Sequence, residues 1–182
     1  MPIASILDFW KRDPDTAPNL VAWQTLPPRP AQTHPFPTDL PAPVSQTLIA
    51  AGIHSIYSHQ LEAWTHSRAG EDIILSTGTA SGKTLAYNLP VISELITNPN
   101  ARALYLFPTK ALTQDQLSTL GNLEPETWNL SAAIYDGDTP QKDRSAIRRN
   151  ARIVLTNPDM LHTGILPHHT NWLEFFSNLK FI

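Results

Sequence analysis

One short stretch limits what this chain can fold into: Ser76-Thr77-Gly78-Thr79-Ala80-Ser81-Gly82-Lys83-Thr84, set between the apolar run Ile73-Ile74-Leu75 and a segment of helical period. A loop of this kind calls for a strand leading in and a helix leading out. Its consecutive backbone N–H groups and the positive end of the helix then face one point, which suits the phosphates of a nucleoside triphosphate. In that arrangement the Lys83 ammonium reaches the β- and γ-phosphates and the Thr84 hydroxyl is a Mg²⁺ ligand. Lys83 and Thr84 are therefore the candidate catalytic residues, and Thr77, Gly78, Thr79, Ala80, Ser81 and Gly82 join them as candidate nucleotide-binding residues. The general pattern G-x-x-x-x-G-K-[ST] asks for glycine where this chain has Thr77. The plainer alternative is a glycine-bearing turn that binds nothing.

Downstream, apolar runs alternate with segments of helical period, the mark of βαβ units around a parallel sheet. The expected strands are 73–75, 103–107, 132–135, 153–155 and 179–182, and the expected helices are 44–51, 58–67, 82–97, 110–121, 140–149 and 170–178. The fold class is thus α/β. Pro90, inside the 82–97 helix, predicts a kink because it removes the bond to the carbonyl of Ala86. Ten of the 17 prolines fall in the first 43 residues, so 1–43 reads as an extended arm and 44–182 as the packed domain. With no cysteine, a disulfide framework and cysteine-based zinc sites are excluded. No apolar run long enough to span a bilayer occurs, so no membrane partner is expected and a cytoplasmic location is. The net charge of −3 weighs against diffuse nucleic-acid binding.

Residues 77–84 resemble motif I of the DEAD/DEAH-box helicases, usually A-x-T-G-S-G-K-T, with Ala80 in place of the commoner glycine. Phe107-Pro108-Thr109-Lys110-Ala111-Leu112-Thr113-Gln114-Asp115-Gln116 resembles motif Ia, and Thr156-Asn157-Pro158-Asp159-Met160-Leu161 resembles motif Ib. The wording around Tyr87-Asn88-Leu89-Pro90 and 104–112 is similar to the YprA-type bacterial branch. Gln60, following Tyr57-Ser58-His59, resembles the Q motif, whose glutamine reads the adenine edge; the alternative is a solvated residue at a helix start.

The resemblance implies a first RecA-like domain, incomplete here, that uses ATP and Mg²⁺ and binds single-stranded nucleic acid, DNA rather than RNA. It further implies a second RecA-like domain in cis. The implied strand-binding residues are Pro108, Thr109, Lys110, Gln114, Gly137, Asp138, Thr156, Asn157 and Pro158. Both motifs Ia and Ib place a cap residue between a strand and a helix, and helix N-terminal N–H groups can take phosphates with little net positive charge. Equally, Pro108-Thr109 and Asn157-Pro158 serve to end strands and cap helices.

The segment Asp136-Gly137-Asp138-Thr139-Pro140 reads as a turn with Thr139 as N-cap of the next helix. Lys142, Arg144, Arg148 and Arg149 read as a solvated helix face, and the histidines lack zinc spacing. No D-E-x-D/H sequence occurs, and 179–182 looks like the start of the strand that would carry it. The expectation is a piece of a longer chain that binds ATP without hydrolysing it. Two rivals stand beside this: a P-loop nucleotide or small-molecule kinase, and a non-catalytic helicase remnant.

Overall fold

A computed structural model describes residues 2–27, 30–79, 81–123 and 128–182. The chain divides into two compact units, residues 1–31 and 32–182. The smaller unit opens with helix α1 (Ile3–Arg12), followed by a 3₁₀ turn at Ala17–Asn19. That helix corrects the expectation of an extended arm. The prolines of the arm do not fall within 3–12, so nothing there interrupts a helical ladder. In the same unit the Lys11 ammonium lies 4.5 Å from the Trp23 ring centre.

In the larger unit, β1 (Thr33–His34) pairs antiparallel with β2 (Ile56–Tyr57). Between them runs α2 (Ala42–Ala50), closed by Gly52 at φ 82°. Phe36 and Leu40 pack into the main core, so residues grouped by composition with the arm are structurally part of the domain. Next come α3 (Ser58–Arg68) and α4 (Lys83–Thr97), and α4 runs on through Pro90 as one element.

The main sheet holds β3 (Arg102–Leu106), β4 (Ala132–Ile134), β5 (Ile153–Thr156) and β6 (Leu179–Phe181), all parallel, in the order β4-β5-β3-β6. Helices α5 (Lys110–Leu123) and α6 (Gln141–Asn150) connect the first three of these strands in sequence. Between β5 and β6 the chain passes through α7 (Pro158–Met160), a π turn (Leu161–Ile165), a 3₁₀ stretch (Leu166–Trp172) and α8 (Leu173–Ser177).

Side chains alternate across a strand, so neighbours in sequence feed opposite layers. Ala103, Tyr105, Ile153 and Leu155 join the core formed with Leu89, Ile92 and Leu95 of α4 and Leu120 of α5. Leu104 and Val154 face the other way, into Tyr135, Met160, Ile165, Trp172 and Phe175. Burial on both faces is why β3 and β5 read as unbroken apolar runs.

The strand expected at 73–75 does not form. Residues 71–78 carry no regular structure, and Ile74 is 96% exposed. A strand exists by exchanging backbone hydrogen bonds with a neighbour, and among the described residues no strand pairs with this segment. No helix among the described residues is long and apolar enough to cross a membrane.

Candidate nucleotide and nucleic-acid site

The loop expected to hold phosphates enters α4 through Gly82, which sits in the left-handed region at φ 78°. A side chain there would be strained, and its Cβ would come within 2.7 Å of Gln60 Nε2. Gln60 is 3% exposed and spends both ends of its amide. Nε2 donates to the Gly82 carbonyl at 2.8 Å, and Oε1 accepts the Tyr57 N–H at 2.8 Å. One N–H and one lone pair of the amide are left over. Gln60 thus fastens the start of α3 to the start of α4.

Lys83 turns back over the loop that precedes it. Its Nζ donates to the Thr77 carbonyl at 2.9 Å and to the Gly78 carbonyl at 2.5 Å, with Thr77 Oγ1 at 3.2 Å. The Thr77 and Ser81 hydroxyls pair at 2.7 Å. The loop therefore collects an ammonium, two hydroxyls and the N-terminal N–H groups of a fifteen-residue helix. Ala80 lies outside the described residues.

The Tyr87 phenol donates to Gln116 Oε1 at 2.6 Å. Burial raises the Tyr87 pKa, the neighbouring Thr84 hydroxyl opposes the rise, and the Asp115 charge adds to it. Behind it, Tyr105 donates to Asn88 Oδ1 at 2.7 Å, and burial drives its pKa far above the usual phenol value. The Tyr87–Gln116 bond links α4 to α5. No sequence motif announced it, because Tyr87 and Gln116 are 29 positions apart.

Because the main strands are parallel, the segments leaving β3, β4 and β5 emerge at one edge of the sheet. Pro108, Thr109, Lys110, Gln114, Gly137, Asp138 and Pro158 are exposed, and Asn157 is half-buried. The Leu112 N–H donates to Thr109 Oγ1 at 3.3 Å, and the Met160 N–H donates to Asn157 Oδ1 at 2.7 Å. Both residues therefore cap the helices that follow them.

Lys110 forms an ion pair with Asp138, tying the start of α5 to the turn after β4, and this bond raises the lysine pKa. A cleft of about 290 Å³ there is lined by Lys110, Gln114, Asp136, Asp138, Thr139 and Asp143 among others.

Two residues depart from expectation. Thr156 is 1% exposed and donates its hydroxyl to the Tyr135 carbonyl at 2.6 Å, so it shapes the end of β5 from inside. Thr139 is not the cap of α6. Pro140 holds that place. The acid of the turn is the buried Asp136, whose Oδ1 accepts the N–H groups of Asp138 at 3.0 Å and Thr139 at 3.1 Å. Among the described residues no group of three or more His, Cys, Asp or Glu is placed to hold a metal ion.

The family profile of the DEAD/DEAH box helicases matches residues 57–182. The chain is 47% identical, over 165 residues, to the uncharacterized ATP-dependent helicase YprA of Bacillus subtilis, covering 90% of this chain and 22% of that protein. It is 45% identical over 131 residues to the ATP-dependent helicase HRQ1 of Saccharomyces cerevisiae, covering 70% of this chain and 12% of the relative. The crystal structure of the DUF1998 helicase MrfA bound to DNA superposes with a TM-score of 0.88 at 42% identity, over 98% of this chain and 25% of that one. The chain thus spans a quarter or less of the length of each of these relatives.

Proposed function

The chain belongs to the DEAD/DEAH box helicases, and from that membership we propose that it is the ATP- and strand-binding segment of the first RecA-like domain of an ATP-dependent helicase acting on single-stranded DNA. Membership sets the kinase alternative aside. The observation that carries the reading is the loop ahead of α4, with left-handed Gly82 braced by Gln60 and the Lys83 ammonium gathered at its centre.

In this reading Lys83 exchanges its bonds to the Thr77 and Gly78 carbonyls for phosphate oxygens. The backbone N–H groups of 78, 79 and 81–84 take the remaining phosphate charge. Thr84 contributes its hydroxyl oxygen to Mg²⁺. Gln60 keeps the loop in register and offers its remaining N–H and lone pair to the adenine edge. Pro108, Thr109, Lys110, Gln114, Gly137, Asp138, Asn157 and Pro158 face the strand, and Thr156 supports them from within. DNA is favoured over RNA because MrfA, alike over 98% of this chain, was crystallised with DNA. A second RecA-like domain in cis completes the enzyme, in keeping with the small share of each relative that this chain spans. The cytoplasm, where ATP and DNA meet, is the location assigned.

Titration of the chain with a fluorescent ATP analogue and Mg²⁺ tests the reading. Lys83→Ala removes a charge-assisted contact of about 1.5–3 kcal/mol, a loss of roughly ten- to a hundredfold in affinity. Gln60→Ala weakens the preference for ATP over GTP. Equal binding by wild type and Lys83→Ala would overturn the proposal.

A further inference from the structure

Helix α6 has two unlike long faces. Asp143 and Ile147, four apart, look into the cleft shared with Lys110 and Asp138. Gln141, Arg144 and Arg148, spaced three and four apart, line a different and larger cleft of about 530 Å³. Its far wall is the irregular stretch after α7: Thr163 and Gly164 of the π turn, then His168 and Asn171. The floor is Tyr135, Met160 and Trp172, all buried.

This cleft is chemically one-sided. Among the described residues no carboxylate lines it, and neither arginine is paired with one. Arg144 uses Nε on the Thr139 carbonyl at 3.1 Å and one Nη2 hydrogen on the Asp136 carbonyl at 3.3 Å, and it lies 5.4 Å from the Tyr135 ring centre. Arg148 makes one long contact, to the Tyr135 hydroxyl at 3.4 Å. A guanidinium carries five N–H donors, so most donors of this pair are unspent. Two such forks side by side match the oxygens of phosphodiesters better than single lysines would. The wall is also unusual in its backbone, because a π turn wedged into a helical path recurs at binding sites. Gly164 leaves room there for the end of Met160, whose Sδ and Cε a Cβ at 164 would meet at 2.7 Å.

We propose that this cleft is a second nucleic-acid backbone site, in which Arg144 and Arg148 hold consecutive phosphates of a DNA strand. The proposal rests on the strand-binding function given above but uses none of its residues. The cleft borders both strand-facing segments, since Tyr135 precedes the 136–139 turn and Met160 closes the helix that Asn157 caps. A strand leaving those segments therefore has an unpaired basic cleft beside it. The net charge of −3 gives a strand little general attraction and leaves this concentration its natural anchor.

The test is fluorescence anisotropy of labelled oligo-dT of about 20 nucleotides on the 182-residue chain, at salt between about 50 and 200 mM. Arg144→Gln with Arg148→Gln is expected to weaken binding about tenfold and to lower the slope of log affinity against log salt by about 1.4, the value for two single-strand phosphates. Lys142→Gln with Arg149→Gln, the same charge change on the outer face of α6, should alter affinity less than about twofold. If the double arginine variant fails to fold by circular dichroism, Arg148→Gln alone, which leaves the bonds of Arg144 intact, should lower the slope by about 0.7.

Equal losses in the two double variants would reduce the effect to diffuse charge and overturn the proposal, as would no binding of oligo-dT by wild type. Thr109→Ala with Asn157→Ala separates the two ideas. If it weakens binding while the arginine variants do not, the helicase reading stands and the second site falls. Capture of labelled deca-glutamate that is lost in the arginine variants, with oligo-dT unaffected, would assign the cleft to an acidic polypeptide instead.

Discussion

Two apolar triplets of nearly the same composition meet opposite fates in this molecule. Ile153-Val154-Leu155 is fully buried as β5, between β4 and β3. Ile73-Ile74-Leu75, β-branched at the same two places, carries no regular structure ahead of the loop that enters α4, with Ile74 96% exposed and Ile73 38%. The triplets themselves do not explain the difference. A central strand has a partner on each side for every second N–H and carbonyl, and a helical layer over each face. Among the described residues Ile73-Ile74-Leu75 pairs with no strand and carries no regular structure. Apolar content and β-branching therefore specify willingness to be a strand, and neighbours decide the outcome.

The sharpest probe of this contrast is Leu155→Ala, which empties a packed position on the α4 side of the sheet and should cost about 2–5 kcal/mol in urea unfolding. A cost below about 1 kcal/mol would mean that the sheet centre packs no better than the exposed triplet.

Next in size is an alkaline effect confined to the embedded region. Burial raises the folded-state pKa of Tyr105, and to a lesser degree that of Tyr87, above the ordinary phenol value near 10. The folded state keeps its protons while the unfolded chain loses them. The stabilisation is therefore complete below about pH 10 and, for Tyr105, declines by about 1.4 kcal/mol per pH unit above it. Urea midpoints between about pH 8 and 11 should fall less steeply for Tyr105→Phe than for wild type; parallel curves would exclude Tyr105 as a source.

The smallest effect belongs to Ile74→Ala, expected within about 0.5 kcal/mol of wild type. A loss near 2 kcal/mol would place residue 74 in a packed strand and dissolve the comparison.

These contrasts also mark what the sequence could convey. Strands β3, β4, β5 and β6 were legible as short apolar runs and helices α2 to α6 as segments between them, because those signals are local. Asn157-Pro158 was legible as a cap because the signal is local, and the structure places the bond where the pattern asks. The segment at 73–75 was misread because strand formation is a property of pairs. Helix α1 was missed because the proline count was taken over the whole arm, whereas the run from 3 to 12 contains none. The double use of Gln60, the Tyr87–Gln116 bond and the cleft behind α6 depend on residues far apart in sequence. Spacing alone does not disclose them.

The amide of Gln60 has a mechanical meaning of its own. It is planar, and its two ends serve different masters: oxygen to the Tyr57 N–H, nitrogen to the Gly82 carbonyl. A rigid plate pinned at both ends cannot release one without tilting against the other. The entrance of α3 and the rim of the phosphate loop therefore move together or not at all. The start of α3 and the loop that enters α4 are thus joined by a single flat group, so a displacement of Tyr57 is transmitted to Gly82.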